Sequence, residues 1–222
     1  MNIRRWNEAN RLWLVPLVLV AATWAFPILW TAAMSLKPEG SLTGLKPTFV
    51  FWPTLDSYRQ LFGDRDFGPY LLNSLLIAGG ATLVSMVLAS FAAYALARTN
   101  MRGREQIGMW ILSLRMLPPI STVIPFYLIL SRSALLDTYL GLLLVYLTFS
   151  LPIAIWMLQG FFSEIPRSID EAAAADGAGP LTILFRFILP LAKGGIAVTT
   201  IFTFVFAWNE FLYAFLLTKE RW

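Results

Sequence analysis

Two groups of side chains in this 222-residue sequence are of types that do chemistry. The first is a set of carboxylates, Asp170, Glu171 and Asp176, lying in a polar island between two apolar runs. Carboxylates so placed can serve as general acid and base, complement a helix N-terminus or meet a cation on a partner. The second is Trp208, Asn209, Glu210 and Tyr213 near the end of the last apolar run, with Arg115 inside an earlier one. Aromatic faces beside an amide and a carboxylate can hold a hydroxyl-rich ligand, and the same types also make the interfacial belt of a membrane protein. These four span a turn and a half of helix, so they cannot all face one path. An arginine within a membrane is costly and marks a functional site unless it snorkels or pairs with a partner chain.

What is missing narrows the chemistry. There is no cysteine and no histidine, which removes thiol chemistry, Cys/His metal sites and any imidazole relay. No glycine is followed by lysine, so there is no P-loop. Neither a catalytic centre nor a metal site is expected on this chain, and any energy source must sit on another subunit.

The element that must position the carboxylates is a short, punctuated helix. Pro166 closes what precedes it, and Ser168 with Glu171 has the spacing of a capping box. Asp170 and Glu171 suit the positive end of the helix dipole, and Ala172 to Ala175 supply the highest helix propensity. Asp176 reads as solvated or capping, as does Asp170. Gly177 falls where a helix needs a left-handed stop. Gly179-Pro180 opens a second helix, and Pro190 marks where that one ends or bends. The predicted helix, Ser168 to Asp176, is too short to hold in water alone. It must dock on something; an amphipathic connector on a membrane surface would read the same way.

The rest of the chain reads as membrane. It is 58% hydrophobic and only 14% charged, against roughly 25% charged in a soluble domain. Uncharged runs long enough to cross a bilayer recur, and the sequence predicts spans over 12–36, 70–97, 107–129, 140–162 and 191–217. The island, 163–190, lies between the last two. Pro16 and Pro27 should bend the first span, with Trp13, Trp24 and Trp30 as lipid-facing anchors. An external loop over 37–69 carries one short helix near Asp56 to Phe62. The second span is rich in small residues that allow close packing, with Asn73-Ser74 near its outer end as a helix-packing pair. Pro118-Pro119 interrupts the third span, about 12 Å beyond whose start lies Arg115, and Pro152 breaks the fourth. Raw counts of lysine and arginine differ little between the two sides. The basic N-terminus and the short loop Arg98, Arg102, Arg104 set the orientation, N-terminus inside. A net charge of +4 spread over the loops offers no face for nucleic acid.

Glu171-Ala172-Ala173, Gly177 six residues after the glutamate, and Leu189-Pro190 resemble the EAA loop of permease subunits from binding-protein-dependent ABC importers. The phrase Glu-Ala-Ala-Ala-Ala-Asp-Gly-Ala with Phe185-Arg186 and Leu189-Pro190-Leu191 is similar to the carbohydrate branch, and to its maltose-type second permease. The segment Phe206-Ala-Trp-Asn-Glu-Phe-Leu-Tyr is similar to the same branch. Phe187 replaces the aliphatic residue often found three positions before that proline.

The resemblance implies an all-α membrane bundle of about five spans in one transmembrane domain, where the family has six and the last looks missing. It implies a plasma-membrane protein of bacteria or archaea. The EAA loop would be a cytoplasmic coupling helix with Ser168, Asp170, Glu171, Ala172, Ala173, Asp176, Gly177, Leu189 and Pro190 as its working residues. The implied partners are a sister permease, two ATP-binding subunits carrying ATP and Mg, an extracytoplasmic solute-binding protein and membrane lipid. Arg115, Trp208, Asn209, Glu210 and Tyr213 would lie on the substrate path. Three further readings stay open: a permease for another solute such as glycerol phosphate or a polyamine, an integral-membrane enzyme using Asp170, Glu171 and Asp176, and a structural membrane protein. A polyamine carrier should have acidic residues in its spans, and only Glu210 qualifies.

Overall fold

A computed structural model describes residues 3–38, 51–65 and 67–218, with side chains from residue 14 onward. Every regular element among the described residues is helical. Three helices are individually long and apolar enough to cross a membrane, and two bent helix pairs bring the count to five. The chain forms two compact units, residues 1–68 and 69–222.

The first unit is built on α1 (Ile3–Ser35). None of the residues in its most apolar, membrane-length stretch within Leu14–Ser35 is buried. The helix runs through both Pro16 and Pro27 without interruption. Trp24 and Trp30 are exposed, as anchors should be, while the side chain of Trp13 lies outside the described residues. The predicted short loop helix is α2, Asp56–Arg59, running on as a π-turn over Gln60–Asp64. Tyr58 Oη lies 2.8 Å from Ser35 Oγ, tying α2 to the end of α1.

The second unit holds the remaining helices. Helix α3 (Phe67–Arg98) is the long small-residue span. It is followed by α4 (Arg104–Ser113), with a 3-10 turn Leu114–Met116 at its end, and by α5 (Pro119–Arg132). The predicted third span is therefore two helices meeting at 92°. The cause is local: Pro118 drives Leu117 into an extended conformation, and Pro119 starts α5 as its first-turn proline. Helix α6 (Tyr139–Glu164) contradicts the expected break at Pro152, which is buried inside a continuous helix. A membrane bundle tolerates such a proline because surrounding helices absorb the freed carbonyl.

After α6 come α7 (Ser168–Ala175) and α8 (Pro180–Leu191). Pro190 has no N–H to give the Arg186 carbonyl, and the turn before it, Leu184–Ile188, is widened into a π-helix. Helix α9 (Lys193–Trp208) then leaves at 81°. The predicted fifth span, 191–217, is not continuous. It stops at Trp208, and α10 (Leu212–Leu217) restarts after a break at Asn209–Phe211. Local side-chain bonds compete with the helix there: Asn209 Nδ2 donates to the Val205 carbonyl (2.8 Å) and Glu210 Oε1 accepts from Tyr213 N (3.2 Å).

The core of this unit has two centres. One gathers Met86 to Ala97 of α3, Ala154 to Phe162 of α6, Ala173 of α7 and Ile183, Leu184 and Ile188 of α8. The other joins the opposite ends of α3 and α6 to α5, Ala207 and α10. Helices α9 and α6 meet where Gly195 faces the ring of Phe161, leaving no room for a Cβ.

Candidate functional site

The polar island folds as predicted in outline and differs at its start. Residue Arg167, in helical conformation, precedes α7 and makes no side-chain cap, so Ser168 is the first helical residue rather than the cap. The Pro166 carbonyl accepts from Ile169 N (3.3 Å), winding the first turn one residue early, and the capping box does not form. The helix thus has eight residues, Ser168–Ala175.

Its end follows the expected chemistry. Gly177 is left-handed, φ 83°. Gly177 N donates to the Ala174 carbonyl (3.0 Å) and Ala178 N to that of Ala173 (2.9 Å). This bond pair is a Schellman motif, and its hydrophobic contact is made by Ala173 and Ala178 on the first core centre. Leu189 packs on the same centre, while Pro190 is exposed. Glu171, Ala172, Ala174, Ala175 and Asp176 face outward. The outer surface of α7 is therefore smooth alanine edged by two carboxylates.

Asp170 is held in an ion pair, a correction to its sequence reading as a solvated or capping residue. Its Oδ2 lies 3.3 Å from Nη1 of Arg98, the last residue of α3, with the arginine side chain 3% exposed and the aspartate 20%. Arg98, read as part of a basic loop, is thus turned into the protein, joining the coupling candidate to a span 72 positions earlier.

The second group meets only in part. Arg115, Glu210 and Tyr213 line one cavity of about 600 Å³, together with Thr122, Phe149 and Phe206. The Arg115 guanidinium lies over the Phe206 ring at 4.6 Å, a cation–π contact. Tyr213 stacks on Phe149 (6.0 Å, 8° between planes), with its hydroxyl 2.6 Å from Thr122 Oγ1. Tyr146 donates to the Glu210 carbonyl (2.8 Å), fixing the break between α9 and α10. Trp208 faces a separate cavity of about 240 Å³ with Asn73 and Tyr146, and Glu210 borders both. Asn209 lines neither. Sequence reasoning missed Phe149, Thr122 and the contact made by Phe206; the Pro118-Pro119 and Pro152 neighbourhoods, where bent or proline-containing helices leave space, were the available signal.

The family model for the binding-protein-dependent transport system inner membrane component matches residues 85–220, from mid-α3 to beyond α10. The chain belongs to this family. The permease is 39% identical over 211 residues to the trehalose transport system permease SugB of Mycobacterium tuberculosis, covering 94% of this chain and 76% of the relative. It is 34% identical over 206 residues to the trehalose/maltose transport system permease MalG of Thermococcus litoralis, covering 92% and 74%. In three dimensions it resembles a chain of a bacterial ABC transporter that imports the acidic polysaccharide alginate. That match has a TM-score of 0.75 at 25% identity and covers all of this chain and 78% of the other. The permease is a multi-pass inner-membrane transport subunit, a part of a system that also needs a binding protein and an ATPase.

Proposed function

We propose that this permease forms half of the translocation path of a carbohydrate importer and takes its driving force through α7. The observation that carries this reading is the build of the island: an eight-residue helix too short to stand alone, fastened on its inner side and offering bare alanine and Glu171 outward. A partner cleft can approach such a surface closely, and Glu171 can meet a cation there. ATP and Mg belong to two ATP-binding subunits, whose closure on ATP would push α7 and rock the bundle between inward and outward access. A sister permease supplies the other half of the path, and an extracytoplasmic solute-binding protein delivers the ligand.

Carbohydrate as cargo is supported by the trehalose and trehalose/maltose names of the relatives. The cavity chemistry agrees with it. Flat rings of Phe149, Phe206 and Tyr213 suit sugar faces, and Arg115, Thr122 and Glu210 offer the few polar groups that fix orientation. Irregular backbone is tolerated in a membrane where it is buried in protein or lines a cavity, and Glu210 of the α9–α10 break borders both cavities.

The test is purification of the permease in mild detergent from its own membrane, beside Glu171→Ala and Gly177→Pro. A P-loop ATPase should accompany the wild-type protein, hydrolyse ATP faster when the binding protein and a sugar such as trehalose or maltose are added, and be lost or unresponsive in both variants. A permease whose ATPase partner ignores both substitutions would overturn the coupling role of α7. Stimulation by non-carbohydrate solutes alone would overturn the cargo.

A further inference from the structure

Alanine packing alone cannot hold α7 in one orientation. Ala173 is its single buried residue, and one methyl group resists sliding or rolling weakly. The directional contact is the ion pair between Arg98 and Asp170. It is also an unusual pair. Arg98 Nε and Nη2 are buried, and among the described residues they find no hydrogen-bond partner, nor does either oxygen of Asp170 reach hydrogen-bond geometry. The separation of 3.3 Å exceeds the ~2.7–2.9 Å of a fully made charge-assisted bond. Stripping either partner would leave the other buried and uncompensated.

We propose that Arg98 is a positioning residue for coupling: its ion pair with Asp170 makes α7 and the end of α3 move together. Force on the outer face of α7 then enters α3 directly at its last residue, and so reaches the small-residue stretch of α3 that packs in both core centres. This rests on the coupling role proposed above for α7.

The experiment uses the whole importer, assembled with its partner subunits and reconstituted in proteoliposomes. Three quantities are read: complex recovered, ATP hydrolysed and solute moved per ATP. With Asp170→Asn, the ATP-binding subunits should stay bound and hydrolysis remain within about twofold, while solute moved per ATP falls about tenfold, the size of an ordinary coupling term. Asp170→Glu, which keeps the charge, should recover most of that loss. Because Asp170→Asn leaves a buried arginine alone, Arg98→Met with Asp170→Leu provides a variant whose apolar pair should assemble at wild-type yield; it too should uncouple. Loss of hydrolysis and transport in step with recovered complex, or a wild-type ratio in the double variant, would overturn the proposal. Glu171→Ala separates the two readings. If it uncouples while the double variant does not, the clamp fails alone; if it leaves hydrolysis and transport untouched, the coupling role of α7 fails and the clamp with it.

Discussion

Gly177 and Arg115 show how differently a single residue can matter here. Among the described residues no atom would obstruct a Cβ at Gly177, so its backbone, φ 83°, is what opposes substitution. Gly177→Ala should therefore cost about 1–2 kcal/mol in thermal unfolding of the purified permease, and Gly177→Asn less, since asparagine tolerates this region. Arg115 depends on shape: its flat guanidinium covers Phe206 at 4.6 Å. Lysine keeps the charge but cannot stack as a plane, and Arg115→Lys should lose about 1 kcal/mol, read as a roughly fivefold rise in the KM for transport. An unchanged KM would remove Arg115 from the path. Both residues were legible from sequence, Gly177 by its distance from an alanine run and Arg115 by being a charge in an apolar stretch. The partner of Asp170 was not. Local spacing favoured a capping role for that carboxylate, and only tertiary packing brings Arg98 to it. Ser168 was misread for a smaller reason: the Arg167 carbonyl accepts the Glu171 N–H that a Ser168 cap would have taken.

At the level of helices, proline decided most of what the sequence could foretell and some of what it could not. Pro118-Pro119 turns one predicted span through 92°, and the bend at the end of α8 is 81°. Pro152, Pro16 and Pro27 sit inside continuous helices. Context separates the tandem pair from Pro152: Pro118 holds Leu117 in extended backbone, whereas Pro152 is buried and costs one hydrogen bond that its packed surroundings can absorb. The break at Asn209–Phe211 carries no proline and was invisible to hydropathy, being set by two side chains bonding to nearby backbone. Pro190→Ala tests the role of the widened turn. It supplies the missing N–H, so Leu184–Ile188 should return to α-helical register and amide exchange there should slow. Leu189 would then rotate away from the first core centre, and ATP hydrolysis stimulated by solute should fall even though the protein is no less stable.

On the scale of the molecule, the two groups of residues that the sequence singled out turn out to lie in opposite halves of one bundle, each with its own core centre. Helices α3 and α6 run through both halves, so they are the rods along which a displacement at α7 could reach the aromatic cavity. Helix α9 has a different bearing, on the lipid. Its 16 residues reach only about 24 Å at 1.5 Å per residue, short of a hydrocarbon layer of about 30 Å. Either the bilayer thins at that flank, or α10 or the bent α8 makes up the length. Reconstitution in lipids of increasing acyl length should therefore slow transport steadily, well before the protein loses its fold, and thickness of the host membrane becomes a control on the rate of this importer.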